Sequence, residues 1–143
     1  MNKTTFILWL LTISFWGVSP IIEKLGLKNV DPLPALFIRT FTALIFIFIV
    51  LLFTSSFNFS NLSLKDISII SLSGIVGGFL GMFTYFILLK SQNASQIVPL
   101  TSTYPLVATF LAVLILKEDL SLAKFLGTLF VVIGIYLLFK SSN

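Results

Sequence analysis

Glu23, Lys24 and Arg39 are ionisable residues set in or beside long apolar runs. A charge at mid-bilayer costs at least ~2.5 kcal/mol, so such residues either reach for the head groups or serve a buried task. Glu23 and Lys24 are adjacent and therefore point to different sides of a helix. An inward-facing Arg39 would attract an anionic group, with Glu23 as its partner. The plainer reading, interfacial snorkelling, is the one the sequence favours for all three, because each lies within reach of a head-group region.

A second set is polar without being charged. Thr101, Tyr104, Pro105, Ala108 and Ala112 follow i, i+3, i+4, i+7, i+11 spacing, which gathers hydroxyls, a proline and small residues into one helical stripe. Within a membrane such a stripe must face protein or water. Pro99 and Pro105 each remove a backbone donor and free a carbonyl, at Ser95 and Thr101, unless nearby hydroxyls satisfy it. A kinked helix packed on its neighbours explains the stripe as well as a binding feature does. Trp9 suits an interfacial belt. Trp16 and Tyr104 lie deeper and require partners for N–H and O–H, and Tyr85 and Tyr136 carry similar polar tips.

Gly74 with Gly78, and Gly77 with Gly81, form two overlapping G-x-x-x-G pairs, with Ser73 one turn before Gly77. Such a face lets helix backbones approach closely in lipid, and tight packing is a better reading than substrate contact.

Other chemistry is poorly supplied. With no cysteine and no histidine, the chain has no disulfide framework, no thiolate metal site and no common general base. No cofactor, metal site or catalytic constellation is expected. The net charge of +4 comes from single residues at the ends of apolar runs, as at lipid head groups, and not from a nucleic-acid patch. Glu118 and Asp119 sit in a turn near a helix start, where the helix dipole favours a carboxylate, and Glu118 reads as structural.

The elements that must position these residues follow from composition. Of 143 residues, 57% are hydrophobic and only 10% charged, with a mean hydropathy of +1.11. A soluble chain carries roughly 25% charged residues. The apolar runs reach the roughly 20 residues that cross a bilayer. An all-α membrane protein is predicted, with about five helices near residues 4–25, 34–53, 67–89, 94–116 and 122–139. They make one transmembrane domain over 1–143. Asp31-Pro32 marks the first boundary, the longest loop runs from Thr54 to Asp66, and a short tail follows Lys140. The first run follows Lys3 as a signal peptide would, but lacks a cleavage site and reads as a retained helix.

Five spans put the termini on opposite sides. Alternating the loops places Lys3, Lys65, Lys117 and Lys124 on one face and Lys24, Lys28, Arg39, Lys90 and Lys140 on the other. That near balance gives weak direction. It is compatible with insertion both ways, which would allow an antiparallel homodimer of the kind that supports alternating access. Equally, Lys24 and Lys28 alone would place the amino terminus outside.

Trp16-Gly17 leading to Lys24-Leu25, then Arg39, Asn93-Ala94-Ser95, Tyr104-Pro105-Leu106, Lys117-Glu118, and Gly127 to Gly134 together resemble the EamA unit of the drug/metabolite transporter superfamily. The resemblance covers nearly the whole chain and is most specific from Asn93 to Leu138. It implies a five-helix unit, in many relatives duplicated as inverted halves, acting on amino acids, other metabolites, nucleotide sugars or toxic cations. One departure matters. Related small multidrug exporters carry a buried Glu about two turns before the terminal Lys of the first helix, where this chain has Trp16, so proton-coupled cation export is not implied.

The combined expectation is a permease for a small polar metabolite in the cell (inner) membrane of a prokaryote, acting as a homodimer or with a similar small partner. Trp16, Arg39, Tyr85, Thr101, Tyr104 and Pro105 are the candidate cavity residues. Gly74, Gly77, Gly78 and Gly81 are the candidate packing face. The rival readings are a non-transporting assembly subunit and half of a lipid-linked sugar flippase.

Overall fold

The computed structural model describes residues 2–54, 62–119 and 121–140, and leaves aside the side chains of 138 and 139. Most of the expected Thr54–Asp66 loop and the expected tail beyond Lys140 lie outside the described residues. Five helical segments account for nearly everything else: α1 (Lys3–Gly26), α2 (Pro32–Thr54), α3 (Leu64–Ser91), α4 (Ala94–Leu116) and α5 (Leu122–Lys140). The first four are long and apolar enough to cross a membrane, and α5 adds a shorter apolar helix. The chain is an all-α membrane protein.

Capping residues set the helix starts. Asn2 accepts the Thr5 amide at 2.8 Å and opens α1. The second helix starts at Pro32, slightly earlier than its apolar run, because the first turn tolerates a missing N–H and Ala35 N–H closes on the Asp31 carbonyl at 3.0 Å. At α3, Ser63 and Asp66 form a reciprocal capping box, which moves the start back to Leu64.

Two helices are irregular. Over Gly74–Gly81, α3 winds as a π-helix before resuming α geometry at Met82. A β-carbon on Gly81 would lie 3.3 Å from the Val76 carbonyl oxygen, five residues earlier, so the wider turn suits a residue without a side chain. The hydroxyl of Thr84 donates to the Leu80 and Gly81 carbonyls at 3.0 and 2.9 Å, beside the end of the wide turn. The continuous helix expected here thus contains a π segment.

Helix α4 is interrupted rather than merely kinked. It consists of Ala94–Thr101 and Tyr104–Leu116, with Pro105 in the first turn of the second half, where its missing N–H breaks no helical bond. Around the break, the hydroxyls of Thr101, Ser102 and Thr103 donate to the carbonyls of Ile97, Val98 and Leu100 at 2.7–2.8 Å. Side chains thus occupy backbone acceptors near the interruption.

The chain divides into two compact units, Met1–Ser91 and Gln92–Asn143. In the first, α1 and α2 pack on the Met82–Ser91 half of α3. Leu27, Leu36, Phe86 and Leu89 are buried there, all near the end where α1 finishes, α2 begins and α3 finishes. Large apolar side chains elsewhere in this unit are widely exposed, as a lipid-facing surface requires. In the second unit, Ala94–Thr101 packs against α5. The turn after α4 carries Lys117 in a left-handed conformation (φ 54°), and the Glu118 amide closes back on the Ala112 carbonyl at 3.3 Å.

Candidate functional site

The last turns of α1 and the second turn of α2 bring opposite charges together. Arg39 Nε lies 3.1 Å from Glu23 Oε1, and the Ser19 hydroxyl, one turn earlier on α1, donates to that same oxygen at 3.0 Å. The side chain of Glu23 is 11% exposed and that of Arg39 is 45% exposed. Arg39 is seven residues inside α2, about 10 Å along the helix. Snorkelling is therefore not its whole role: the guanidinium is held laterally by a carboxylate on the neighbouring helix. Half-buried Tyr85, on α3, lies within electrostatic reach of both charges.

The pair borders a cleft of about 790 Å³ in the first unit. Its walls are mainly apolar, with Phe15, Val18, Ile22, Leu27, Ile38 and Phe86 among them, while Ser14, Ser19, Glu23 and Arg39 supply the polar groups. A site of mostly apolar lining with a few convergent polar groups can hold the body of a small molecule and fix the orientation of its head.

Where α1 and α3 finish and α2 begins, two lysines tie the unit. Lys24 Nζ donates to the carbonyls of Leu89 and Lys90 at 2.6 and 3.2 Å, which satisfies acceptors at the C-terminus of α3 and places a cation at its negative dipole end. Lys90 Nζ in turn reaches Asp31 Oδ1 at 2.6 Å and the Val30 carbonyl at 3.2 Å. The Asp31 carboxyl is thereby held below the ordinary carboxylate range, first by the hydrogen bond from Lys90 and second by its charge. Adjacent residues at the end of α1 have split tasks: Glu23 faces α2, and Lys24 faces α3.

The second unit holds a groove of about 630 Å³ between the latter half of α4 and α5. Pro105, Ala108 and Ala112 line it together with Thr109, Gly127 and Thr128. The small-residue part of the expected α4 stripe is thus a real surface feature.

Comparison with known proteins fits this architecture. The model of the EamA-like transporter family matches residues 4–140. The chain belongs to that family. An uncharacterized protein of Methanocaldococcus jannaschii is 33% identical over 135 residues, covering 94% of this chain and 96% of its own length. An uncharacterized transporter of Archaeoglobus fulgidus is 27% identical over 128 residues, covering 90% of this chain but 45% of the relative. The chain thus spans about half the length of that second protein. No solved structure matches this chain.

Within this EamA-like chain the expected cavity residues are distributed unevenly. Arg39 borders the cleft, and Tyr85 lies near its charge pair. Trp16 is 65% exposed and does not line the cleft, while its neighbours Ser14, Phe15 and Ser19 do. Thr101, Tyr104 and Pro105 belong to the second unit. There, the Thr101 hydroxyl is turned back to its own helix, and Tyr104, beside the break, is 58% exposed. A β-carbon on Gly74, Gly77 or Gly78 would meet nothing within 4 Å, so among the described residues no other helix rests on that face. Ser19 was missed by sequence reading, although its position four residues before Glu23 places both on one helical face.

Proposed function

We propose that the protein is a secondary transporter of a small polar metabolite and that the first-unit cleft receives the polar head of its substrate. Membership of the EamA-like family supports transport as the class of activity. The observation that carries the placement is the Glu23–Arg39 pair, 3.1 Å apart at the edge of a cleft of about 790 Å³. An ionic pair among apolar helices is expensive to maintain unless it has structural or binding work, and ionisable groups in membrane spans mark substrate paths.

In this reading the chain acts as one of two five-helix units, most simply as an antiparallel homodimer in a prokaryotic cell membrane. The two-to-one length ratio with the Archaeoglobus fulgidus relative supports it, as does the near balance of basic residues between the two sets of loops. The exposed glycine face of α3 suits contact with the second unit.

The test is counterflow. Purified protein in proteoliposomes, preloaded with a panel of unlabelled metabolites, should accumulate the matching labelled solute transiently. Arg39→Gln should abolish that accumulation with the helical circular dichroism unchanged. Absence of counterflow across the panel by folded protein would favour a non-transporting membrane subunit instead.

A further inference from the structure

The charge pair also constrains the chemistry of what enters the cleft. Glu23 and Arg39 sum to zero charge, and Arg39 stays protonated in any protein setting. Its Nε lies 3.1 Å from Glu23 Oε1, and a guanidinium fork carries further donors that suit a second planar acceptor. Both residues line the cleft, and the Arg39 side chain is 45% exposed against 11% for Glu23, so Arg39 is the more accessible of the two to an arriving solute. On Glu23, Oε1 accepts the Ser19 hydroxyl at 3.0 Å and is also the oxygen that pairs with the Arg39 charge.

We propose that Glu23 and Arg39 form a charge-compensated exchange site for a small carboxylate with an apolar body: the solute replaces Glu23 on the Arg39 guanidinium, and Glu23 takes up one proton. The inference rests on the transport reading and names the substrate class of the same cleft. In the exchange, the Arg39 guanidinium gives up its ion pair with Glu23 Oε1 for one with the solute carboxylate, and a proton from the aqueous phase bonds to Glu23 Oε2. One negative charge enters and one is neutralised, so the site stays neutral where an uncompensated charge is penalised. The groups facing Glu23 are the Ser19 hydroxyl on its own helix, Arg39 from α2 and Tyr85 from α3. The neighbouring Lys24 ammonium is committed to the Leu89 and Lys90 carbonyls. None of these offers a second cation to hold both carboxylates ionised.

The same accounting disfavours other solutes. A cation placed on Glu23 would leave Arg39 without its counter-charge. A phosphate monoester brings about −1.5 to −2 charges, more than one guanidinium and one proton balance. The apolar walls, including Phe15, Ile22, Ile38 and Phe86, suit a hydrocarbon or aromatic body behind the carboxylate.

The experiment is titration calorimetry on the full chain in detergent, at one pH, in two buffers of different ionisation enthalpy. The probes are phenylacetate, phenylacetamide, phenethylammonium and phenylalanine. Phenylacetate should bind about tenfold or more tightly than the other three, with proton uptake approaching one per molecule. Glu23→Gln should retain phenylacetate binding and lose the uptake. Arg39→Gln should lose binding, and Arg39→Lys, which keeps the charge but not the fork, should weaken it if the glutamine variant does not fold. No phenylacetate binding, equal binding of the amide, tightest binding of phenylalanine without uptake, or uptake unchanged in Glu23→Gln would each overturn the proposal. Counterflow of another solute without carboxylate binding sinks the exchange site but leaves transport standing. Proton-linked binding without flux leaves the exchange site standing and sinks transport.

Discussion

The ammonium of Lys24 lies 2.6 Å from the carbonyl oxygen of Leu89, so the last turn of α1 holds the end of α3. The neighbouring residue, Glu23, is meanwhile committed to Arg39 on α2. One helical turn thereby fixes two partners, and the cleft is framed by both attachments.

Replacing Lys24 should loosen this frame. Lys24→Met leaves C-terminal carbonyls of α3 without the donor, and a hydrogen bond to a charged group is worth roughly 1.5–3 kcal/mol. Thermal unfolding in detergent should show a clear loss of stability for Lys24→Met and almost none for Lys28→Met, whose side chain is exposed.

Acid should release the Lys90–Asp31 tie. The folded-state pKa of Asp31 is depressed by Lys90, so its stabilising contribution is fully present above the ordinary carboxylate value near ~3.9 and lost as pH falls through the lower, folded one. Because Asp31 is exposed, the effect is small. A melting-temperature series between about pH 2.5 and 6 should show a shallower acid limb for Asp31→Asn than for the unaltered chain.

Separating the Glu23–Arg39 pair should be worse than deleting it. Glu23→Leu leaves a guanidinium without its counter-charge, at a cost of about 1–3 kcal/mol, less than for a fully buried pair because Arg39 is partly exposed. The double variant Glu23→Leu/Arg39→Leu should recover a measurable part of that loss in denaturation. A double variant as unstable as the sum of the singles would show that the two residues are not coupled.

The glycines of α3 should separate into two kinds. Gly81→Ala forces a β-carbon to within 3.3 Å of the Val76 backbone oxygen, so it should destabilise the π segment. A β-carbon on Gly77 meets nothing within 4 Å in the single chain, so Gly77→Leu should leave monomer helicity intact. If the glycine face meets a second unit, Gly77→Leu should also abolish cross-linked dimer in membranes, with about tenfold weaker association or more.

Much of the architecture was legible without coordinates. Bilayer thickness fixes span length, and unsatisfied backbone groups are forbidden in hydrocarbon, so apolar run length alone specified the helices and nearly all their ends. The largest differences are at Leu64, where the Ser63–Asp66 capping box moves the start back, and at Pro32 and Ser91, each two residues beyond the expected end. The break in α4 was foreshadowed by Pro105, but its place at Ser102–Thr103, where hydroxyls bond back to Ile97, Val98 and Leu100, was not.

The sequence by itself determined that this chain lives in a membrane as about five helices, and it offered Glu23 and Arg39 as possible partners. Only the tertiary structure decided that they meet, that Lys24 turns the other way, and that the cleft takes Ser14, Phe15 and Ser19 from α1 in place of Trp16. The reason is physical. These helices are apolar nearly all round, so hydropathy sets how long each one is but not which face turns inward. That rotation comes from helix crossing and from a few polar contacts between residues distant in the chain, such as Lys24 with Leu89 and Lys90 with Asp31.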